Sequence, residues 1–302
     1  MPWDLDGKLV VGISSRALFD LEEENRIFET EGLDAYRKYQ REHENEILRP
    51  GTAFPLVKAL HRLNSNDKRL TEIIIMSRNS ADTSLRIFNS IAHYGLDISR
   101  AALVSGASIS KYLNAFKTDL YLSYNEHEVQ EAINAGVAAG IICSGTDLSI
   151  DPDQEVPQIR IAFDGDAVIF SGEAERIYKE QGLKAFEDFE RANAQQLLPE
   201  GPFAKLLKTL SMVQSQFPDG EGPIRLALVT SRNAPAHERV VRTLRAWNVR
   251  IDEIFFLGGI QKAQVLEAFG ANIFFDDQTV HTDPASHKVP SARVPYPHGG
   301  EE

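Results

Sequence analysis

The 302 residues are 42% apolar and 25% charged, a composition that suits a globular protein with a sizeable buried core. A formal charge of −12 argues against a surface that tracks nucleic-acid phosphates, which needs clustered Lys and Arg, but it leaves room for a small phosphorylated ligand held by a metal and a few local cations. No run approaches the roughly 18 apolar residues of a membrane helix, and MPWDLDGKLVVGISS lacks the basic and long apolar regions of a secretory leader. The single Cys143 cannot form an internal disulfide and sits in the apolar stretch GIICSG, so a small buried side chain in a cytoplasmic protein is expected.

Near the start of the chain, the acidic run Asp20, Glu22, Glu23, Glu24 reads as a solvated loop and helix start, where early acids suit the helix dipole. RIFETEGLDAY then begins at Arg26 and returns as RIYKEQGLKAF at Arg176. The register holds without gaps from Arg26 to Leu60 against Arg176 to Leu210, with about a third of positions identical. Downstream, IIIMSRNSA (from Ile73) pairs with LALVTSRNAP (from Leu226), and LNAFKTDLYLSYN (from Leu113) pairs with LEAFGANIFFDDQ (from Leu266). A period of about 150 residues is too long for a solenoid. The expectation is a tandem duplication of one domain, with copies over 1–152 and 153–302 joined near SIDPDQEVPQ.

Each copy alternates short β-rich runs with longer amphipathic stretches, the pattern of an α/β, Rossmann-like domain with a parallel sheet covered by helices. In the second copy the strands are expected at IRIAF, RLALVT, EIFFL and NIFFD, and the helices over Glu173 to Asn193, Gly201 to Gln216, Ala236 to Trp247 and Lys262 to Phe269. The insert over about 173–222 is helical by pattern and predicts a small cap over the carboxyl edge of the sheet, which would exclude water and favour a small substrate. The Pro-rich tail PASHKVPSARVPYPHGGEE reads as an ordered strap or a frayed end.

Ligands of open parallel sheets bind beyond the carboxyl ends of the strands. There the second copy places Asp164 and Asp166 after its first strand, Thr230 after the next, and Asp276 with Asp277 after the last; Lys262 opens the preceding helix. Four carboxylates on one edge repel each other unless a divalent cation neutralises them, and oxygen donors favour Mg²⁺. A carboxylate beside such a cation can attack phosphorus, which casts Asp164 as the nucleophile. Asp166 would protonate the departing alkoxide and then deprotonate water, while Thr230 and Lys262 hold phosphoryl oxygens.

Each feature alone has a plainer reading. One DxD after a strand is weak evidence, since Asp is common in turns; its weight comes from the company of Thr230, Lys262 and the DD pair. Asp276 and Asp277 could cap the following segment, and Lys262 could be a solvated helix start beside a Gly258-Gly259 turn. The Arg and Asn of SRN occur in both copies as Arg78, Asn79 and Arg232, Asn233, where they would contact substrate or fix the strand-to-helix loop. His43, in a polar insert where the copies differ, fits either a substrate contact where the halves meet or a solvated helix face.

The order DGDAV, Thr, Lys and DD resembles haloacid dehalogenase-like phosphatases. FDGDAVIFSGEAERI, YQREHENEILRPGTAFPLVKAL, VTSRNAP and FFDDQ are similar to the type I cytosolic 5′-nucleotidases, over nearly the whole chain and including its duplicated layout. That resemblance implies Mg²⁺-dependent hydrolysis of nucleoside 5′-monophosphates such as AMP. It implies Asp164 as nucleophile and metal ligand, Asp166 as acid/base lending its backbone carbonyl to the metal, and Asp276 as the third protein ligand, with Asp277 acting directly or through water. Thr230, with Ser231 as fallback, and Lys262 fall at the phosphate-binding positions.

The first copy departs from this pattern. Aligning its LFD on IFS puts Ile13 and Ser15 opposite Asp164 and Asp166, and Ser123 and Tyr124 opposite Asp276 and Asp277; Lys111 resembles Lys262 in setting. One active site per chain and a degenerate first half are expected. The motifs leave the leaving group open, so a sugar-phosphate phosphatase and a nucleotide-sensing, non-catalytic protein stand as alternatives. The expected partner is a small-molecule nucleotide, with no nucleic acid polymer and no membrane; a homo-oligomer is compatible with that reading.

Overall fold

The structure, a computed structural model, describes residues 4–65, 68–145, 150–218 and 222–296. The first three residues, Ser149 of the joining stretch and the last six residues of the tail lie outside the described residues. The strands are β1 Leu9–Ile13, β2 Thr71–Ser77, β3 Arg100–Leu103, β4 Leu120–Ser123, β5 Ala138–Ile142, β6 Ile159–Phe163, β7 Ile224–Thr230, β8 Glu253–Phe256, β9 Ile273–Asp276 and β10 Ser291–Arg293. The helices are α1 Ser15–Leu18, α2 Glu22–Glu31, α3 Leu33–Glu42, α4 Phe54–His61, α5 Leu85–His93, α6 Ser110–Leu113, α7 Glu126–Asn134, α8 Glu173–Ala192, α9 Ala204–Gln214, α10 His237–Ala246, α11 Lys262–Phe269 and α12 Thr279–Ser286.

All ten strands join one sheet in the order β3-β2-β1-β4-β5-β10-β9-β6-β7-β8. The interior strands are buried on both faces, which is why IIIM of β2, LALV of β7 and IFF of β9 read as apolar runs rather than alternating ones. Every pairing within the sheet is parallel except β5 with β10. The antiparallel pairing is a close seam: a Cβ added to Gly140 would lie 2.8 Å from the Cβ of Ala292. Because of it, β1–β5 run opposite to β6–β10, and their carboxyl ends lie on opposite edges of the sheet. The halves also share their interior, since α4 packs on β6, α9 packs on β1, and one apolar cluster runs through both.

Hydrogen bonds recur at matching places in the two halves. Ser14 N donates to Leu122 O (2.9 Å) and Asp164 N to Phe275 O (2.8 Å). Leu48 N donates to Ser90 Oγ (3.0 Å) and Leu198 N to Thr243 Oγ1 (2.9 Å). Arg86 Nε donates to Glu46 O (2.9 Å) and Arg239 Nε to Gln196 O (3.1 Å).

The four strands and four helices expected in the second half all form, with ends shifted by a few residues. Two expectations need correction. The tail is neither strap nor frayed end where it is described: Ser291–Arg293 is a central strand filling the gap between β5 and β9. The insert also does not form a cap throughout. Leu206, Leu207, Leu210 and Val213 of α9 are buried in the sheet core, and only α8 remains at the carboxyl edge, with Ala174, Phe186 and Glu190 as its buried residues. A non-helical Gly182 (φ 82°) breaks α8 into two pieces, as Gly32 (φ 89°) separates α2 from α3; both use backbone angles that other residues rarely adopt.

Candidate active site

At the end of β6 the chain enters Asp164-Gly165-Asp166 and turns back through Ala167 to Phe170, which bridges to both Asp166 and Glu200. The hydrogen bond from its N–H to β9 fixes Asp164, whose side chain is buried. Asp276, the last residue of β9, is fully buried, and its Oδ1 accepts from Gln278 N at 2.9 Å. Lys262 opens α11 at 2% exposure, so it is not the solvated helix start of the plainer reading. Its Nζ donates to Asp164 Oδ1 (2.6 Å) and to Asp276 Oδ2 (2.7 Å). Thr230 ends β7 at 1% exposure, and its Oγ1 accepts from Arg232 N at 3.2 Å.

Asp164, Asp276 and Asp277 each offer an oxygen within 4.8 Å of the others, the one such group among the described residues. The Oδ1 of Asp277 is buried without a hydrogen-bond partner. Burial pushes the Asp164 carboxyl up to about 7, with Asp276 and Asp166 adding to the rise and Lys262 opposing it. Burial, then Glu175, Asp164 and Asp276, pushes Asp277 up to about 9. Burial also raises Asp276, against the pull of Lys262. Beside one lysine the three carboxyls therefore cannot all ionise near neutral pH, and a further cation would let them do so. An all-oxygen donor set with an orphaned carboxylate oxygen fits a hard divalent cation.

The remaining residues singled out in the sequence are placed differently. The Asp166 carboxylate does not join the acid trio but closes on Arg232, accepting from Nε (2.8 Å) and Nη2 (2.6 Å). Arg232 is buried, and its Nη1 donates to Glu190 Oε2 (2.8 Å), so its guanidinium is fully engaged within the protein. Asn233 is exposed beside Gly258. Arg78, Asn79 and His43 are not brought to this edge. Arg78 donates to Gly106 O, Asn79 Oδ1 accepts from Tyr36 OH (3.1 Å), and the His43 ring stacks on Tyr39. Arg78 and Asn79 follow β2, six strand spacings from β6 (about 29 Å) and on the opposite edge.

A family model described as 5′-nucleotidase matches residues 1–301. The chain belongs to the 5′-nucleotidase family. It is 38% identical over 298 residues to cytosolic 5′-nucleotidase 1B from Homo sapiens, an alignment covering 94% of this chain and 48% of that protein. The chain thus spans about half the length of that relative.

In this 5′-nucleotidase family member the backbone hydrogen bonds pair the two halves differently from the sequence alignment. The backbone bonds put Ser14, not Ile13, opposite Asp164, because the extra residue of the second half is Gly165 within the loop. Matching Leu113 with Leu266 puts buried Ile109 opposite Lys262, whereas Lys111 is exposed with its Nζ 5.0 Å from the Tyr112 ring centre. The two SRN motifs are one residue out of structural register: Asn79 N donates to Ser77 Oγ as Arg232 N donates to Thr230 Oγ1, both at 3.2 Å.

Four residues near the site went unread in the sequence. Glu175 accepts from Gln278 Nε2 (2.8 Å) and pairs with Lys179 (2.6 Å). Half-buried His281 on α12 feels Lys262 and Asp164, and burial lowers its pKa. Glu190 and Arg239 pair at 3.1 Å in the interior. A signal for Glu190 was available, since the gapless repeat aligns it with neutral Gln40.

Proposed function

We propose that this chain is a Mg²⁺-dependent 5′-nucleotidase that converts nucleoside 5′-monophosphates to nucleoside and phosphate. Family membership, the name of the human relative and the buried acid trio support the reading, and the observation that carries it is the convergence of Asp164, Asp276 and Asp277 with Lys262. The side-chain oxygens of the trio would hold the metal, with the Asp166 carbonyl as a further ligand. The cation would supply charge neutralisation and Lewis-acid polarisation of a phosphoryl oxygen.

In the first step an Asp164 carboxylate oxygen attacks phosphorus. The bond from phosphorus to O5′ breaks, its electron pair stays on O5′, and O5′ takes a proton from the Asp166 carboxyl to leave as the nucleoside hydroxyl. In the second step Asp166 takes a proton from water as the water oxygen attacks phosphorus and releases phosphate and free Asp164. Lys262 orients the nucleophile and adds positive charge where the phosphoryl group arrives, and Thr230 donates to a phosphoryl oxygen. Ser231 and Asn233, both exposed in the loop after β7, are the residues of the second SRN open to substrate contact.

We also read the chain as a tandem duplication, 1–152 and 153–302, fused through the antiparallel seam. The recurring hydrogen bonds and the mirrored strand order support it. The first copy would have lost its metal site, leaving one catalytic centre per chain. A cytoplasmic enzyme acting on a free nucleotide, without a nucleic acid polymer or membrane as partner, fits the cytosolic relative; among the described residues no helix is long and apolar enough to cross a membrane. A panel of phosphomonoesters with Mg²⁺ tests the substrate class. Faster turnover of AMP, IMP or CMP than of sugar phosphates is expected; equal or faster turnover of sugar phosphates would remove the nucleotidase reading.

A further inference from the structure

Behind the acid trio lies a buried charge network. Glu190, on the second piece of α8, is 1% exposed and accepts from Arg232 Nη1 (2.8 Å) and Arg239 Nη1 (3.1 Å). The other face of the Arg232 fork closes on Asp166. The Arg232 guanidinium also lies 5.6 Å from the Phe186 ring centre, and that of Arg239 lies 5.4 Å from Phe189, so α8 supplies both the acid and the aromatic backing.

In the first half the contacts that run from the helix to the loop are neutral. Gln40 stands for Glu190, Tyr36 for Phe186, Asn79 for Arg232 and Ser15 for Asp166. Gln40 Nε2 donates to Tyr36 OH (3.1 Å), Tyr36 OH to Asn79 Oδ1 (3.1 Å), and Asn79 Nδ2 to Ser15 Oγ (3.5 Å). Arg86 and Arg239 are common to both halves and bind the same loop carbonyl, but Arg86 takes its acid from Glu24. One chain thus contains its own control. Although Arg86 keeps a buried acid in Glu24, the chain of contacts that reaches the loop is neutral where no carboxylate needs support, and burying an ion network is seldom more stabilising than a well-fitted uncharged replacement. The charged fork facing the loop accompanies Asp166.

We infer that Glu190 and Arg232 are positioning residues for Asp166. Glu190 fixes the Arg232 guanidinium, and the fork fixes the direction of the Asp166 carboxyl toward the leaving oxygen. When O5′ takes the proton, the fork receives the carboxylate left behind and keeps it aimed for the water of the second step. The inference rests on the proposed role of Asp166 as proton donor.

The test compares the first-turnover release of the leaving group from AMP and from p-nitrophenyl phosphate, whose phenolate departs without a proton. Glu190→Gln and Arg232→Lys are expected to slow nucleoside release by at least about tenfold while p-nitrophenolate release stays within about threefold and AMP affinity within about twofold. If Glu190→Gln does not fold, the double variant Glu190→Gln/Arg232→Asn, which transplants the first half's Gln40 and Asn79, carries the measurement. Equal slowing of both substrates, or of neither, overturns the inference. Asp166→Asn run in parallel separates the failures: selectivity there but not in the network variants refutes the positioning role alone, whereas its absence in Asp166→Asn refutes the proton-donor reading and the inference with it.

Discussion

Asp164 is held on two sides, by its N–H on β9 and by Lys262 at 2.6 Å, so its carboxylate cannot rotate freely. Asp164→Asn keeps the shape and removes the nucleophile; phosphate release should fall at least about 10³-fold while calorimetric nucleotide affinity changes by less than about threefold. Far from that edge, His61 has both ring nitrogens buried without partners, and burial lowers its pKa to about 4. The unfolded chain takes up this proton near pH 6.5, whereas the folded chain does so only near 4, so His61 costs stability as pH falls through that window. Between pH 7.5 and 4.5 the loss attributable to His61 should reach about 2 kcal/mol and vanish in His61→Leu, read as the difference in urea midpoints. The residues of the acid edge were legible because each stands at a strand end or helix start in a fixed order. Arg232 was not, because the direction of its side chain is set by Glu190, on a distant helix whose packing no local pattern encodes.

At the scale of elements, the turn that carries Asp166 depends on a close backbone approach. A Cβ on Gly201 would lie 2.4 Å from Phe170 O and 2.6 Å from Val168 O, and Gly51 meets Phe19 and Ala17 in the same way in the first half. Gly201→Ala should therefore cost about 2–3 kcal/mol in denaturant unfolding and lower phosphate release as the Asp166 turn shifts. Helix type and position were legible for α8 and α11 because their apolar spacing and flanking glycines are local signals. The role of α9 was not, since an apolar helical face looks the same whether it covers a ligand or a neighbouring strand. β10 was hidden because three residues, Ser-Ala-Arg, carry no alternation, and the gap between β5 and β9 decides their conformation.

For the whole molecule, the repeat was visible in the letters, but the way the halves dock was not. No motif states that β5 and β10 pair antiparallel, and that one pairing sends Arg78, Asn79 and His43 to the edge opposite the acids. The acid trio ties global stability to the proposed metal. At about 100-fold excess over its dissociation constant, Mg²⁺ should raise the melting temperature by about 5 °C, an increase that EDTA reverses and Asp277→Asn removes. The most direct test of the central claim is to quench the enzyme during AMP turnover, reduce it with borohydride and map the product by mass spectrometry. An acyl phosphate on Asp164 would appear as homoserine at position 164 and nowhere else. Sustained turnover with position 164 unmodified, or homoserine at another aspartate, would contradict the account.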